Sequence, residues 1–555
     1  MADAAPIASS GQTFTQLVRA GCEGYVLQGI GLPIAAYVFH AVKLCLYVLG
    51  WTFFVSFTPG LGSPWTLGSW WNEGIAFQKA FLWACMIEAL GFGCMSGPLG
   101  FRIWPPFTAF LHFLRPGTIK LAPWPRLPLF GGVTRSWLDV ALYAGFIASL
   151  VRALVAPAIG TAEVLPVVVF LFLCALADKT IVLAARVEHH GAMIVCFLLG
   201  GVWIAGCKAV QLAIWFWAGV SKLTVAFGYV IPVMTVNNPL VRSASFRRRM
   251  FVSFPDDLRP SRLGRAMAHA GTFLEFAAPL TLLFVSKPGP LLVLGMIFVL
   301  LLHGFIIGNM PAGAVFEWNL VSLYSAFFLF VGHPDVTLLD IDSLPLALYL
   351  VVALIVLPLL GNLVPSRVSF LVAMRYYAGN WAWNAWAFRG DSHQKLDRLK
   401  RAAPLLQDQL RRFAPEEAAH MDSRGMAFRS LHLQGRCLGL LLPKALGGRP
   451  LEEYRYVDGE NVAGSVLGWN FGEGHLCDQH LLACIQAECD FEDGELRVIT
   501  VESQPLLGST LHWRIFDARR GLLAEGDAHL SDLAGRAPWE YGETRDTGVN
   551  RPPPA

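Results

Sequence analysis

The sequence predicts a polytopic α-helical membrane protein of about ten transmembrane helices with a C-terminal soluble α+β domain. The chain of 555 residues is 55% hydrophobic and only 15% charged, with a mean hydropathy of +0.50; soluble domains carry roughly 25% charged residues. The missing charge is concentrated, since residues 30–365 are almost continuously apolar while 389–555 has the composition of an ordinary soluble domain. Basic residues also gather in alternate connecting segments, as they do in proteins that cross a bilayer repeatedly.

A hydrocarbon core needs about 20 apolar residues per helix. The runs 33–57, 74–95, 136–156, 163–185, 190–206, 208–226, 266–286, 290–309, 314–332 and 344–362 meet that need. The stretch 190–226 reads either as two short helices or as one long tilted one, with Gly206 and Lys208 marking the only break. Segment 96–135 holds Arg102, Arg115, Lys120, Arg126 and Arg135 without an acid, and 242–265 holds seven arginines against Asp256 and Asp257. Segment 333–343 instead carries Asp335, Asp340 and Asp342. Ten spans with both termini inside put every basic segment on the cytoplasmic face, and nine do not. Residues 1–32 then form an N-terminal cytoplasmic segment and 33–365 the bundle. The first apolar run is too long for a signal-peptide core, so no cleavable signal is expected. Phe101–Leu114, broken by Pro105-Pro106, is expected as a re-entrant or interfacial helix.

Residues 366–388 mix Arg375, Tyr376 and Tyr377 with Trp381, Trp383 and Trp386, the pattern of an interfacial amphipathic helix. Residues 389–550 form the expected cytoplasmic α+β domain. It opens with a helical stretch, Gln394–Met421, and Asp493-Gly494 signals a hairpin turn. Alternating apolar residues follow through Leu496, Val498, Leu511, Trp513 and Ile515, with a second hairpin turn at Arg519-Arg520-Gly521. The eleven cysteines contain no Cys-x-x-Cys pair and read as buried small hydrophobes. A net charge of +3 gives no reason to expect nucleic acid as a partner.

Few ionisable residues lie in the apolar region, and each needs an account, because a charge in hydrocarbon costs several kcal/mol unless it snorkels or is paired. They include Glu88, Asp178, Glu188-His189-His190, Lys222, His269, Glu275, His303 and Glu317. Lys222 ends the aromatic run Trp215–Leu223, where it serves either as a base whose charge burial disfavours or as a snorkelling anchor at a helix end. His269 and Glu275 lie about 120° apart on a helix, so Glu275 shares a face with Thr272 and Pro279 instead. In the tail, Glu473, His475, Cys477, Asp478, His480, Cys484 and Cys489 are suitable residue types for zinc, but their spacing matches no standard finger. No phosphate loop, dinucleotide fingerprint or nucleophile elbow is present.

The run Ala218-Gly-Val-Ser-Lys-Leu223 resembles a signature of the vitamin K-dependent gamma-carboxylase and its bacterial relatives, the horizontally transferred transmembrane (HTTM) domain proteins. Asp178-Lys-Thr180 with His189-His190, the stretch His269–Glu275, and His303 followed by Phe316 resemble further segments of that family in the same order. The likeness covers roughly 165–330. The tail, with Gly468-Trp-Asn-Phe-Gly472 and Val501-Glu-Ser-Gln-Pro505, resembles a bacterial membrane-protein family without assigned function. The resemblance implies an enzyme of a bacterial inner membrane, with a reduced quinone as cofactor and a lipophilic small molecule as substrate. It maps a catalytic base onto Lys222, its supporting histidine onto His190 or His189, and a shared cavity onto His269, Glu275 and His303. The alternative is a transporter or membrane scaffold whose soluble tail binds a cytoplasmic partner.

Overall fold

The computed structural model describes residues 13–32, 34–93, 102–104, 109–309, 316–372, 380–469 and 474–541. Helices α1 (Phe14–Gln28), α2 (Ile34–Val55), α3 (Gly74–Ala89), α4 (Trp137–Val155) and α5 (Thr161–Ala177) open the chain. They are followed by α6 (Lys179–Ala184), a π-helical turn Val187–Gly191, α7 (Ala192–Leu199), α8 (Trp203–Ser221) and α9 (Phe227–Asn237). Next come α10 (Arg262–Leu283), α11 (Pro290–Gly308) and α12 (Phe316–Ala326), which runs on into a π-helical Phe327–Gly332. A last helix spans Leu344–Leu363 with a π segment at Val352–Val356.

Six of these helices are long and apolar enough to cross a bilayer, and four further apolar helices are shorter. Breaks explain much of the shortfall against ten expected crossings. Asp178 ends α5 and caps α6 by accepting from the Thr180 amide at 2.9 Å. Arg186 then takes a left-handed conformation, with φ 52° and ψ 53°. The alternatives for 190–226 resolve as two helices, interrupted at Gly200–Val202 rather than at Gly206 or Lys208.

Helix α8 is the axis of the bundle, with 72% of its apolar window buried against 28–44% for the other five long helices. All three π-helical segments pack against it. Such segments occur often at functional sites, because the extra residue re-aims the side chains around it.

The two ends of the bundle differ. At the far end the connections tie to one another: Tyr324 donates to the Trp71 carbonyl at 2.8 Å and Ser343 to that of Leu199 at 2.6 Å. At the other end, the tail side, the C-terminal sheet region docks. There the Ala226 amide donates to Gln504 at 3.0 Å and Arg436 to the Leu258 carbonyl at 3.2 Å. A two-stranded ribbon, β1 (Phe251–Ser253) and β2 (Asp257–Pro260), follows the arginine-rich turn on this side. Helix α1 lies between α9 and the tail helix α13 (Pro415–Leu431), with Phe14, Val18, Cys22 and Tyr25 buried.

The tail holds a five-stranded antiparallel sheet ordered β4-β3-β5-β6-β7, made of β3 (Trp383–Arg389), β4 (Tyr454–Asp458), β5 (Leu496–Val501), β6 (Thr510–Asp517) and β7 (Gly521–His529). The Arg519–Gly521 turn joins β6 to β7 as expected. Asp493-Gly494 turns the chain into β5 from a helix, Gln479–Cys489, so it does not close a hairpin. The interfacial helix expected over 366–388 is corrected at its end: Trp383 and Trp386 are buried on β3, Trp383 pairing with β5 and Trp386 with both neighbouring strands, and the Trp386 indole donates to the Cys477 carbonyl at 3.1 Å. Arg375, Tyr376 and Tyr377 lie outside the described residues. In the expected re-entrant stretch, Ala109–Phe113 forms a short helix on the tail side, the Phe110 amide donating to the Leu90 carbonyl at 3.3 Å.

Candidate functional site

Lys222 sits at the C-terminal cap of α8, its side chain 11% exposed, in an ion pair with Glu275 of α10. Its ammonium also lies 5.6 Å from the centroid of the Phe227 ring. Gly219 permits the approach: a Cβ there would stand 3.1 Å from the Phe276 ring and 3.2 Å from the Glu275 Cβ. Glu275 shares the buried face of α10 with Thr272 and Pro279, as the helical spacing requires. His269 lies on the exposed face and does not join them, a correction to the expected shared cavity.

His303 of α11 is buried and does reach this region. The Trp215 indole donates to its Nε2 at 3.1 Å, so Nδ1 carries the proton and donates to Asn319 Oδ1 at 2.6 Å. Both ring nitrogens are thereby fixed in the neutral tautomer.

His189 and His190 occupy the π turn next to Arg186. His189 Nε2 meets Gln211 at 3.2 Å, and both rings set their edges against Phe81. The contacts of His190 are with Phe81 and His189, while those of Lys222 are with Glu275 and Phe227. The expected Lys222–His190 couple is therefore not brought together. What links the two neighbourhoods is α8 itself, whose residues Lys208, Gln211, Trp215 and Lys222 recur at steps of three, four and seven and so share one face.

A denser cluster, which the sequence reading did not assemble, lies one helix away. Lys43 of α2 pairs with Glu317 of α12 at 2.9 Å, and each side chain is 1% exposed. One turn along α2, Tyr47 donates to Glu88 of α3 at 2.8 Å. The other Glu88 oxygen lies 3.9 Å from Arg186 Nε. The Arg186 guanidinium stands 3.7 Å from the Trp318 ring centroid and 4.6 Å from that of Trp469, a tail residue. Gly93 leaves room for the Glu88 carboxylate, because a Cβ would come within 2.3 Å of it.

Two cations thus face two anions in a space closed to water. Removing such ions from water costs several kcal/mol each unless opposite charges and hydrogen bonds replace the lost hydration. The first turn of α12 joins the two sites: Glu317 points to Lys43, Trp318 to Arg186, and Asn319 to His303. A signal for the cluster was present, since Glu88 and Glu317 each demanded a partner and Lys43 stands inside the first apolar run.

Two clefts among the described residues lie away from Lys222. One, of about 560 Å³, is lined by Trp104, Arg115, Asp397 and Lys400; the other, of about 380 Å³, by Trp51, Trp71 and Tyr324. In the tail, His475 and Asp478 hold other partners, Glu473 lies outside the described residues, and no group of three or more metal-ligating side chains forms among those described.

A family model described as a transmembrane protein of unknown function (DUF3556) matches residues 3–548, and the chain belongs to that family. The match is not to the HTTM or carboxylase families. No curated protein and no solved structure matches the chain.

Proposed function

We propose, with membership of that transmembrane family as the premise, that the protein takes an amphiphilic molecule from the bilayer and acts on its polar end within the tail-side charge layer. The observation that carries this is the Lys43–Glu317 pair beside Glu88 and Arg186, all four buried in an otherwise apolar bundle. Intramembrane ionisable groups are expensive and mark substrate or proton pathways by default. A quinol or another lipophilic molecule with an acidic hydroxyl suits the layer, because fixed cations stabilise the oxyanion left when the proton departs. Paired with Glu275, Lys222 acts as such a fixed cation rather than as the free base that the carboxylase-like resemblance implies. His303, neutral and held on both nitrogens, positions Trp215 and Asn319 around it.

The reading includes ten crossings in a bacterial inner membrane with both termini cytoplasmic. Supporting it, the basic segments 109–135 and 242–265 adjoin the tail side and the acidic 333–343 the far end, as the positive-inside bias requires if the tail is cytoplasmic.

One feature favours a second reading, a transporter. The segment Lys179–Leu199 is interrupted at buried Arg186, and discontinuous helices frame the binding sites of many transporters. The test is lipid and quinone profiling of the native host carrying Glu317→Gln, Arg186→Lys or Lys222→Ala at wild-type abundance. Accumulation of a precursor with loss of its product supports the enzyme. An unchanged inventory on the wrong leaflet supports the transporter, and profiles indistinguishable from wild type remove both in favour of a scaffold.

A further inference from the structure

A second polar constellation lies where the bundle meets the tail, and the charge layer does not use it. Ser369 stands in a short helical turn, Ser369–Leu371, just after the last apolar helix ends at Leu363. Its hydroxyl lies 3.0 Å from His475 Nδ1, and His475 Nε2 lies 2.6 Å from Glu502 Oε2. The other Glu502 oxygen accepts from Arg514 at 2.7 Å. Three separate stretches are thus aligned as hydroxyl, imidazole and carboxylate. We propose that Ser369, His475 and Glu502 form a nucleophilic charge relay that cleaves or transfers the acyl group of a membrane-lipid ester.

The local structure holds the relay in register. Asn384 of β3 donates to the Gly474 carbonyl at 2.7 Å, which pins the turn that carries His475. Gly474 itself cannot be replaced, because a Cβ would lie 2.1 Å from the Ala382 carbonyl oxygen. Glu502 follows β5 directly, so the sheet sets its position. Burial alone would raise the Glu502 pKa, but His475 and Arg514 pull it down to about 2, so it remains a carboxylate. With the Nε2 proton directed at the carboxylate, Nδ1 is the nitrogen that meets Ser369 and serves as its base, the reverse of the usual relay in which the serine meets Nε2.

The substrate class follows from position. Ser369 is 1% exposed and stands shortly beyond the end of the last apolar helix at Leu363. A seat shielded from bulk water suits a substrate delivered along the hydrocarbon. In the first step Ser369 Oγ attacks the ester carbonyl carbon and its proton passes to His475 Nδ1. The bond to the alcohol oxygen then breaks, that oxygen takes the proton from His475, and the acyl-serine remains. Water, or an acceptor alcohol, attacks the acyl-serine through the same nitrogen and releases the acid or new ester with Ser369 restored.

The test uses the full-length protein in detergent, alkyl fluorophosphonates of increasing chain length, and intact-mass and peptide mass spectrometry. Labelling of Ser369 that vanishes in Ser369→Ala, falls at least a hundredfold in His475→Gln and falls about tenfold in Glu502→Gln is the expected result. Absence of a Ser369 adduct across the whole series, with wild-type protein that still melts cooperatively, overturns the relay. Ser369→Cys serves as a control for folding: its alkylation by a long-chain iodoacetamide, lost in His475→Gln, supports the relay, and equal alkylation in both overturns it. The outcome is independent of the charge layer, because none of the Glu317, Arg186 or Lys222 variants alters Ser369 labelling.

Discussion

Within the apolar helices, the two ends of the bundle hold their buried cations in different ways. At the far end, Lys79 donates to the Phe54 carbonyl at 2.9 Å, and Lys208 donates to the carbonyls of His333, at 2.8 Å, and Val336. These ammonium groups close off the ends of helices and loops on backbone carbonyls, with Asp335 and Asp340 near enough to act on the Lys208 charge from outside the helix. At the tail side, Lys43, Arg186 and Lys222 instead meet Glu317, Glu88 and Glu275 on other helices. Carbonyl anchoring needs one charge and tolerates its loss. Cross-helix pairing needs both charges, and removing one leaves the other stranded in a low-dielectric space. The first arrangement fastens a structure; the second keeps opposite charges ready at defined positions.

Substitution tests this contrast directly. Glu317→Leu removes the carboxylate that Lys43 pairs with and should cost about 3–5 kcal/mol in detergent unfolding, while the double variant Lys43→Met with Glu317→Leu recovers most of that. Equal costs for the single and double variants would dissolve the distinction between the two ends.

Acid gives the next largest effect, in the tail. Glu502 falls from an ordinary 4.5 to about 2 on folding, so its contribution is fully present above pH 4.5 and is lost as the pH drops from there toward 2. The shift corresponds to about 3 kcal/mol at most. Limited proteolysis of the tail should therefore accelerate over that window, and Glu502→Gln should flatten the dependence.

A smaller change is expected at Gly219. Gly219→Leu places a side chain against Phe276 and Glu275 and should separate α8 from α10. A loss of about 1–3 kcal/mol follows from overpacking, and a cysteine cross-link between the two helices should form more slowly. Smallest of all, Lys208→Met removes a carbonyl anchor and should cost about 1–2 kcal/mol, with host lipid profiles unchanged.

Much of this architecture was legible because hydropathy reports crossings directly. The apolar runs at 33–57, 136–156, 266–286, 290–309 and 344–362 emerge as helices with small shifts of boundary. The breaks were less visible, since Asp178 ends a helix by capping its successor and Arg186 turns through a backbone conformation that residue type does not forecast. Helical arithmetic correctly separated His269 from Glu275. It was silent on which helix would face Glu275, and so on Lys222 finding a carboxylate rather than His190. Lys43, Arg186 and Trp469 come from three distant stretches, and only packing assembles them. Ser369 was harder still to see, because a lone serine beyond the last span carries no periodic or compositional mark.

The position of α1 has a consequence for biosynthesis. Gln28 at the end of α1 is bound by Arg424 of α13, a residue 396 positions later in the chain. A helix made early therefore waits for one made 396 positions later, and the apolar helices between them must be inserted before that clasp can close. A ribosome stalled within the tail would leave Phe14, Val18 and Tyr25 uncovered, an apolar surface by which chaperones or proteases can recognise an unfinished chain.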